Sequence, residues 1–236
     1  MAHSHGKDSG NRFLQALPHA VSQRLAKQLE PISLGRGSVI THAGAPAGDL
    51  CFPDRGLISL VKIMEDGRTA EVGFVGIEGV VGVSALLGLE QSAFEAIVQV
   101  GGSARCIKTS VLRAEMESSL ALKELVLRYM YYAVNQLAQT AACNRLHSLR
   151  QRCCRWLLTA HDNVGEGTFT LTHEFLALMM GVNRPSLSLT VAMLRRRGLI
   201  QYTRASVTIR DRRGLESGSC ECYWTLRQEC ERVYSV

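Results

Sequence analysis

The sequence predicts an α+β chain in three parts: an antiparallel β unit, one long helix, and a C-terminal winged helix-turn-helix. Three observations predict it. Residues 32–107 fall into short alternating apolar segments broken by glycine. Residues 120–147 contain neither glycine nor proline and carry apolar residues at helical spacing. Residues 171–209 read as two helices about a glycine, followed by two short alternating strands.

Residues 1–11 lack an apolar run, so a solvated tail is expected rather than a signal peptide, with His3 and His5 in solvent. Residues 12–31 predict a short amphipathic helix through Phe13, Leu14, Leu17, Val21, Leu25 and Leu29. Strands are then predicted at 38–41, 57–63, 69–75 and 96–100, with Asp66-Gly67 as a hairpin turn. Many short strands with recurring turns indicate an antiparallel sandwich or barrel.

The helix at 120–147 carries an apolar stripe of Leu122, Leu125, Val126, Tyr129, Met130, Ala133, Leu137 and Ala141. It spans roughly 40 Å and must bury that stripe against something. Its own domain is one choice. A partner helix from a second subunit is the reading adopted, with Leu122, Val126, Tyr129, Ala133 and Leu137 as the dimer interface. A further helix over 149–163 contributes Trp156, Leu157 and Leu158 to a core.

The helix-turn-helix is read residue by residue. Thr172 is an N-cap, and Phe175, Leu176, Met179 and Met180 form the inner face. Gly181 stands where the chain needs a positive φ. Asn183 caps the second helix and Pro185 sits in its first turn. Leu187, Val191 and Leu194 point inward, leaving Arg184, Ser186, Ser188 and Ala192 outside. Residues 201–209 form a wing that turns near Arg204 to Ser206. A polar, arginine-bearing helix start of this kind fits a DNA major groove.

Charge supports the same reading. Residues 143–214 hold 12 arginines, no lysine and 4 acidic residues, a local +8 in a chain of net charge +6. That excess is the footprint of phosphate binding. No stretch of 18 apolar residues exists, so no membrane partner is expected. No nucleophile elbow, Walker loop, His-Glu-x-x-His or dinucleotide fingerprint occurs, which argues against an enzyme.

The eight cysteines, Cys51, Cys106, Cys143, Cys153, Cys154, Cys220, Cys222 and Cys230, are read as reduced thiols of a cytoplasmic protein. Cys220-x-Cys222 with Cys230 is weighed as a metal or redox site and set aside, because zinc sites usually pair thiols as Cys-x2–4-Cys. Cys143 and His147, one helical turn apart, are read as junction packing.

The layout over residues 12–218 resembles the Crp/Fnr family of bacterial transcription regulators. The match is carried by Gly181-Val-Asn-Arg184, by its spacing to Gly198-Leu-Ile200, and by Cys143-Asn-Arg-Leu-His147. The resemblance implies a β-roll sensory domain at 12–117, a dimerisation helix at 118–147 and a winged helix at 148–218, flanked by tails at 1–11 and 219–236. It implies that Arg184 reads a guanine, with Ser188 and Leu189 as further base readers. Thr172, His173, Ser186 and Arg204 would hold phosphates. Pro185 and Leu189 replace a glutamate and an arginine of the catabolite activator, so a different half-site is expected.

The sensory domain departs further from that pattern. Members that bind cyclic nucleotides present a Gly-Glu pair and then an arginine. Here Gly82 is followed by Val83 and Ser84, and the arginine position falls at Phe94 or Glu95. The resemblance therefore implies a degenerate pocket at Gly82, Val83, Ser84, Phe94 and Glu95, and no cyclic AMP binding in the usual mode. Arg105 would substitute only through a different loop fold. No cysteine precedes Cys51, so the family's iron–sulfur sensor is not expected either. Haem sensing through His19 and His42 stays an open alternative, although each reads first as a surface residue.

No cofactor or metal is thus predicted. The expected partners are palindromic double-stranded DNA, a second copy of the chain, and RNA polymerase. The other reading weighed is an effector- or redox-sensing module whose winged helix has become a protein-interaction surface.

Overall fold

The computed structural model of the chain describes residues 10–46, 48–165, 167–203 and 205–235. The first helical segment is split. Helices α1 (Arg12–Gln15) and α2 (His19–Leu25) replace the single helix expected over 12–31. Pro18 is the cause: it has no N–H to continue a helix, and it starts α2 instead. The apolar face is as expected, with Phe13, Leu14, Leu17, Val21 and Leu25 buried. Asn11 corrects the proposed 1–11 tail. It is fully buried, accepts from Leu14 N at 3.1 Å, and donates to Pro53 O and Gly79 O. Residues 1–9, including His3 and His5, lie outside the described residues.

An antiparallel sheet follows. Its strands are β1 (Glu30–Leu34), β2 (Val39–Thr41), β3 (Leu50–Ile63) and β4 (Thr69–Val75), then, after the short helix α3 (Val83–Leu86), β5 (Glu95–Ile107). The order is β1-β5-β3-β4, and β2 also pairs with β5. Strand β3 extends the strand expected at 57–63 back to Leu50. It crosses Gly56 by shifts of register between Pro53 and Ile58 rather than by a turn. Asp66-Gly67 closes the β3–β4 hairpin, with Gly67 N donating to Met64 O at 2.9 Å. Cys51 and Cys106 stand opposite each other on β3 and β5 and are joined as a disulfide, which corrects the expectation that all eight cysteines are thiols. Narrow antiparallel pairing brings such Cα atoms into bridging range, here 4.2 Å apart.

Helix α4 (Thr109–Ser118) leads into the long helix α5 (Leu120–Leu146), capped by Ser119. Its predicted stripe faces inward except at Ala141, which is exposed. Leu122, Val126 and Tyr129 are buried with Phe13, Leu14 and Leu112 in the chain's own core, so these three are not available to a partner. Tyr129 OH also accepts from Val80 N at 3.0 Å and donates to Val80 O at 3.1 Å. Ala133 and Leu137 are half-buried. Leu137 lies against Gly73 of β4, where an added Cβ would stand 2.8 Å from Leu137 Cδ2. The large exposed apolar residues of α5 are Leu120, Leu127, Tyr131, Val134 and Leu146.

The winged helix comprises α6 (Leu149–Val164), β6 (Thr168–Thr170), α7 (His173–Met180), α8 (Arg184–Arg196), β7 (Ile200–Thr203) and β8 (Ser206–Ile209). Strand β6, not expected from the sequence, completes a three-stranded wing in the order β6-β8-β7. Helix α9 (Arg212–Gly218) precedes α10 (Cys222–Tyr234). The supposed C-terminal tail is therefore ordered. Its Cys230 and Val233 enter the core with Phe13 and Tyr129, and Tyr234 OH donates to Glu78 O. One apolar cluster spans both parts of the chain, joining Leu57, Val61 and Phe74 of the sheet to Trp156, Leu157 and Leu187.

Candidate nucleic-acid interface and sensor pocket

The helix-turn-helix is built as its sequence dictates. Thr172 Oγ1 accepts from Phe175 N at 3.3 Å, and Asn183 Oδ1 accepts from Ser186 N at 2.9 Å. Both capped helices thus start at fixed points. Gly181 ends α7 at φ +60°, a conformation costly for a residue with a Cβ. Leu187, Val191 and Leu194 bury the inner face of α8. Arg184, Pro185 and Leu189 are exposed on its outer face, and Ser186 is half-exposed.

Arg184 is engaged, not idle. Its Nε lies 3.0 Å from Glu174 Oε1, with side chains 66% and 59% exposed. An ion pair that open is worth at most about 1 kcal/mol, so DNA can displace it. The exposed Arg195, Arg196 and Arg197 extend the positive surface at the far end of α8.

Two expected contacts are corrected. His173 Nδ1 is 3.0 Å from Ser188 Oγ, its ring lies 4.6 Å from Tyr202, and its Nε2 is buried with no hydrogen-bond partner among the described residues. Burial, followed by the charges of Arg184 and Arg195, lowers its pKa, which favours the neutral ring. His173 therefore ties α7 to α8 and the wing and offers no cation to a phosphate. Ser188 directs its hydroxyl at His173 rather than outward. Arg204 lies outside the described residues.

A cavity of about 230 Å³ lies between the sheet and α5. Gly82, Val83, Ser84 and Phe94 line it, and α5 contributes Met130, Ala133 and Leu137. Glu95 does not line it; its carboxylate is 3.3 Å from His42 Nδ1. Arg105 is paired with Asp54 at 3.0 Å and is also absent from the lining. No charged side chain lines this cavity among the described residues. Lys62 stands beside it, donating to Ala93 O and lying over the Phe94 ring.

The fold also gathers a group that sequence reasoning dispersed. Cys143 and His147 of the α5 end meet Cys220 and Cys222 of the α9–α10 turn, with all four ligand atoms within 4.8 Å of one another. The signal was present as a Cys-x3-His on one helix face and a Cys-x-Cys. Joining them across the chain required the tertiary fold. Cys230, grouped with Cys220 and Cys222 from the sequence, lies elsewhere, within reach of Arg12.

Comparison with known proteins agrees with this two-part architecture of sensory sheet and DNA-binding winged helix. Residues 31–119 match the cyclic nucleotide-binding domain family, and residues 151–217 match the Crp-like helix-turn-helix domain family. FixK2 from Bradyrhizobium japonicum superposes with a TM-score of 0.69 at 15% identity, over 81% of this chain and 98% of that one. A CRP-family transcriptional regulator from Thermus thermophilus superposes at 0.66 with 24% identity, over 80% and 96%. The c-di-GMP-responsive global regulator CLP of Xanthomonas campestris does so at 0.58 with 16% identity, over 81% and 99%. No curated protein matches the chain. The chain thus carries the two domains of Crp/Fnr-type transcription regulators, a fold of DNA-binding proteins rather than enzymes.

Proposed function

We propose that this regulator acts as a homodimer on a palindromic operator, with Arg184 reading a base, and that cyclic AMP does not gate it in the usual mode. The observation that carries the reading is the outer face of α8. It presents an exposed arginine at a capped helix start, on a module with a strong excess of positive charge. A bidentate arginine–guanine pair gives about 1–3 kcal/mol of discrimination. Leu189, 73% exposed on the same face, suits a thymine methyl. Thr172 and Ser186, at the two helix starts, would meet phosphates.

Pairing is supported by the second face of α5. Leu120, Leu127, Val134 and Ala141 recur at intervals of seven and are all exposed, which is the spacing of a two-helix seam. Two such subunits would set recognition helices about 34 Å apart, in successive major grooves. RNA polymerase is the expected protein partner of the DNA-bound form. The uncharged lining of the 230 Å³ cavity leaves a cyclic phosphate without a cation inside it. An apolar, uncharged effector suits those walls better. Met130, Ala133 and Leu137 would transmit its presence to the pairing helix.

Selection of duplex DNA by the purified chain, with and without cyclic AMP, tests this. An enriched palindrome that is independent of the nucleotide and lost in Arg184→Ala is expected. Enrichment only with cyclic AMP, or none that depends on Arg184, would overturn it.

A further inference from the structure

We propose that Cys143, His147, Cys220 and Cys222 form a tetrahedral zinc site that fastens the C-terminal helix α10 to the joint between α5 and the winged helix. The three cysteines are buried and His147 is partly so. Cys143 Sγ and Cys220 Sγ are 3.6 Å apart, as are Cys222 Sγ and His147 Nδ1. Zinc binds sulfur at about 2.3 Å and nitrogen at about 2.0–2.1 Å, so a tetrahedral site separates two sulfurs by about 3.8 Å and a sulfur from a nitrogen by about 3.5 Å. Both separations are already met to within a few tenths of an ångström. Three sulfurs and one imidazole, with no oxygen ligand and no open position, are the donor set of a structural zinc rather than of calcium or magnesium. Ligand atoms this close leave room for one ion and not for a cluster of irons.

The surroundings are arranged for the same purpose. His147 Nε2 lies 3.1 Å from Glu221 Oε1. A carboxylate only accepts, so the ring proton sits on Nε2 and the Nδ1 lone pair faces Cys222. This is the carboxylate–histidine support common behind zinc ligands. Gln139 Nε2 donates to Cys222 Sγ at 2.9 Å. A zinc bound by three thiolates carries a net negative charge. Two arginines of α6 act electrostatically on these thiols, Arg155 on Cys143 and Arg152 on Cys143 and Cys220. Arg155 is buried, and its Nε and Nη1 have no hydrogen-bond partner among the described residues. A negative metal centre beside it would balance that charge.

The test is the metal content of the full-length chain, purified under reducing conditions without chelator, with its free thiols counted in parallel. About one zinc per chain is expected. Cobalt exchanged into the site should show the intense visible bands of tetrahedral thiolate coordination. Glu221→Gln should hold zinc about 10–100-fold more weakly in competition with a chromophoric chelator. The Cys220→Ser/Cys222→Ser double variant should hold none. The zinc stoichiometry and the cobalt spectrum require no variant to fold. A fully reduced wild-type chain that takes up neither zinc nor cobalt overturns the proposal. So does iron with sulfide in place of zinc, or a Cys143–Cys220 disulfide in the purified protein.

Discussion

Arg184 and Glu174 lie on successive helices of the helix-turn-helix, and their exposed pairing sets what single substitutions should do. With Arg184 reading a base as proposed, Glu174 would compete with DNA for the arginine and add a negative charge near the phosphates. Glu174→Gln should therefore tighten operator binding several-fold, with little change in stability, because a pair this exposed contributes at most about 1 kcal/mol. Fluorescence anisotropy with a labelled duplex reads this directly; weaker binding would mean that Glu174 positions Arg184 rather than restrains it. Asn183→Ala removes the cap of α8 and should cost about 1 kcal/mol of stability in denaturant unfolding. His173 behaves differently from its expected role, since both its nitrogens are turned into the protein. Its type and position resembled a phosphate contact. Only the packing of Tyr202 and Ser188 around it showed otherwise.

Helix α5 carries two apolar faces, and they should respond to substitution in opposite ways. Tyr129 lies in the core with its hydroxyl bonded to both polar groups of Val80. Tyr129→Phe leaves those buried groups unsatisfied and should lower stability by about 1–3 kcal/mol without changing the oligomeric state. Val134, 63% exposed, lies on the other face. Val134→Glu should leave the fold intact and shift the proposed dimer to monomer in analytical ultracentrifugation, abolishing tight operator binding. A stable dimer in that variant would move the interface away from α5. The periodicity of the helix was legible in the sequence. Which stripe faces inward was not, because both stripes are apolar, and the choice depends on what α1, α2 and α10 bring against the helix.

At the scale of the whole molecule, Glu71 of β4 is buried where the sheet meets α6. It accepts from Ser59 Oγ and faces the charge of Arg155. Burial raises its pKa to about 7, against the opposing pull of Ser59, Arg155 and Trp156. The folded chain therefore favours the protonated acid. The stabilisation from this group is complete below its ordinary value of 4.5 and is lost as pH rises through about 7. Thermal unfolding should show wild type losing stability between about pH 5 and pH 7 more steeply than Glu71→Gln, whose amide stands in for the neutral acid. Parallel profiles for the two proteins would show that Glu71 does not titrate in this range. Since the residue bridges the sensory sheet and the DNA-binding module, the same variant should flatten any pH dependence of operator affinity.

What the sequence determined by itself was local. Glycine and capping residues placed the helix-turn-helix, alternating apolar residues marked the strands, and an unbroken run of helix formers marked α5. These signals act over a few residues, so the chain carries them in plain order. Pro18 was equally local, and its helix-breaking effect was there to be read. The tertiary structure decided what depends on distant segments meeting. It paired Cys51 with Cys106, turned Tyr129 inward and Val134 outward, and drew Glu95 out of the cavity toward His42. It also brought Cys220 and Cys222 to Cys143 and His147, some 75 residues away in the chain. Burial and proximity are properties of the packed whole, and no periodicity along a single chain specifies which of two compatible surfaces will be covered.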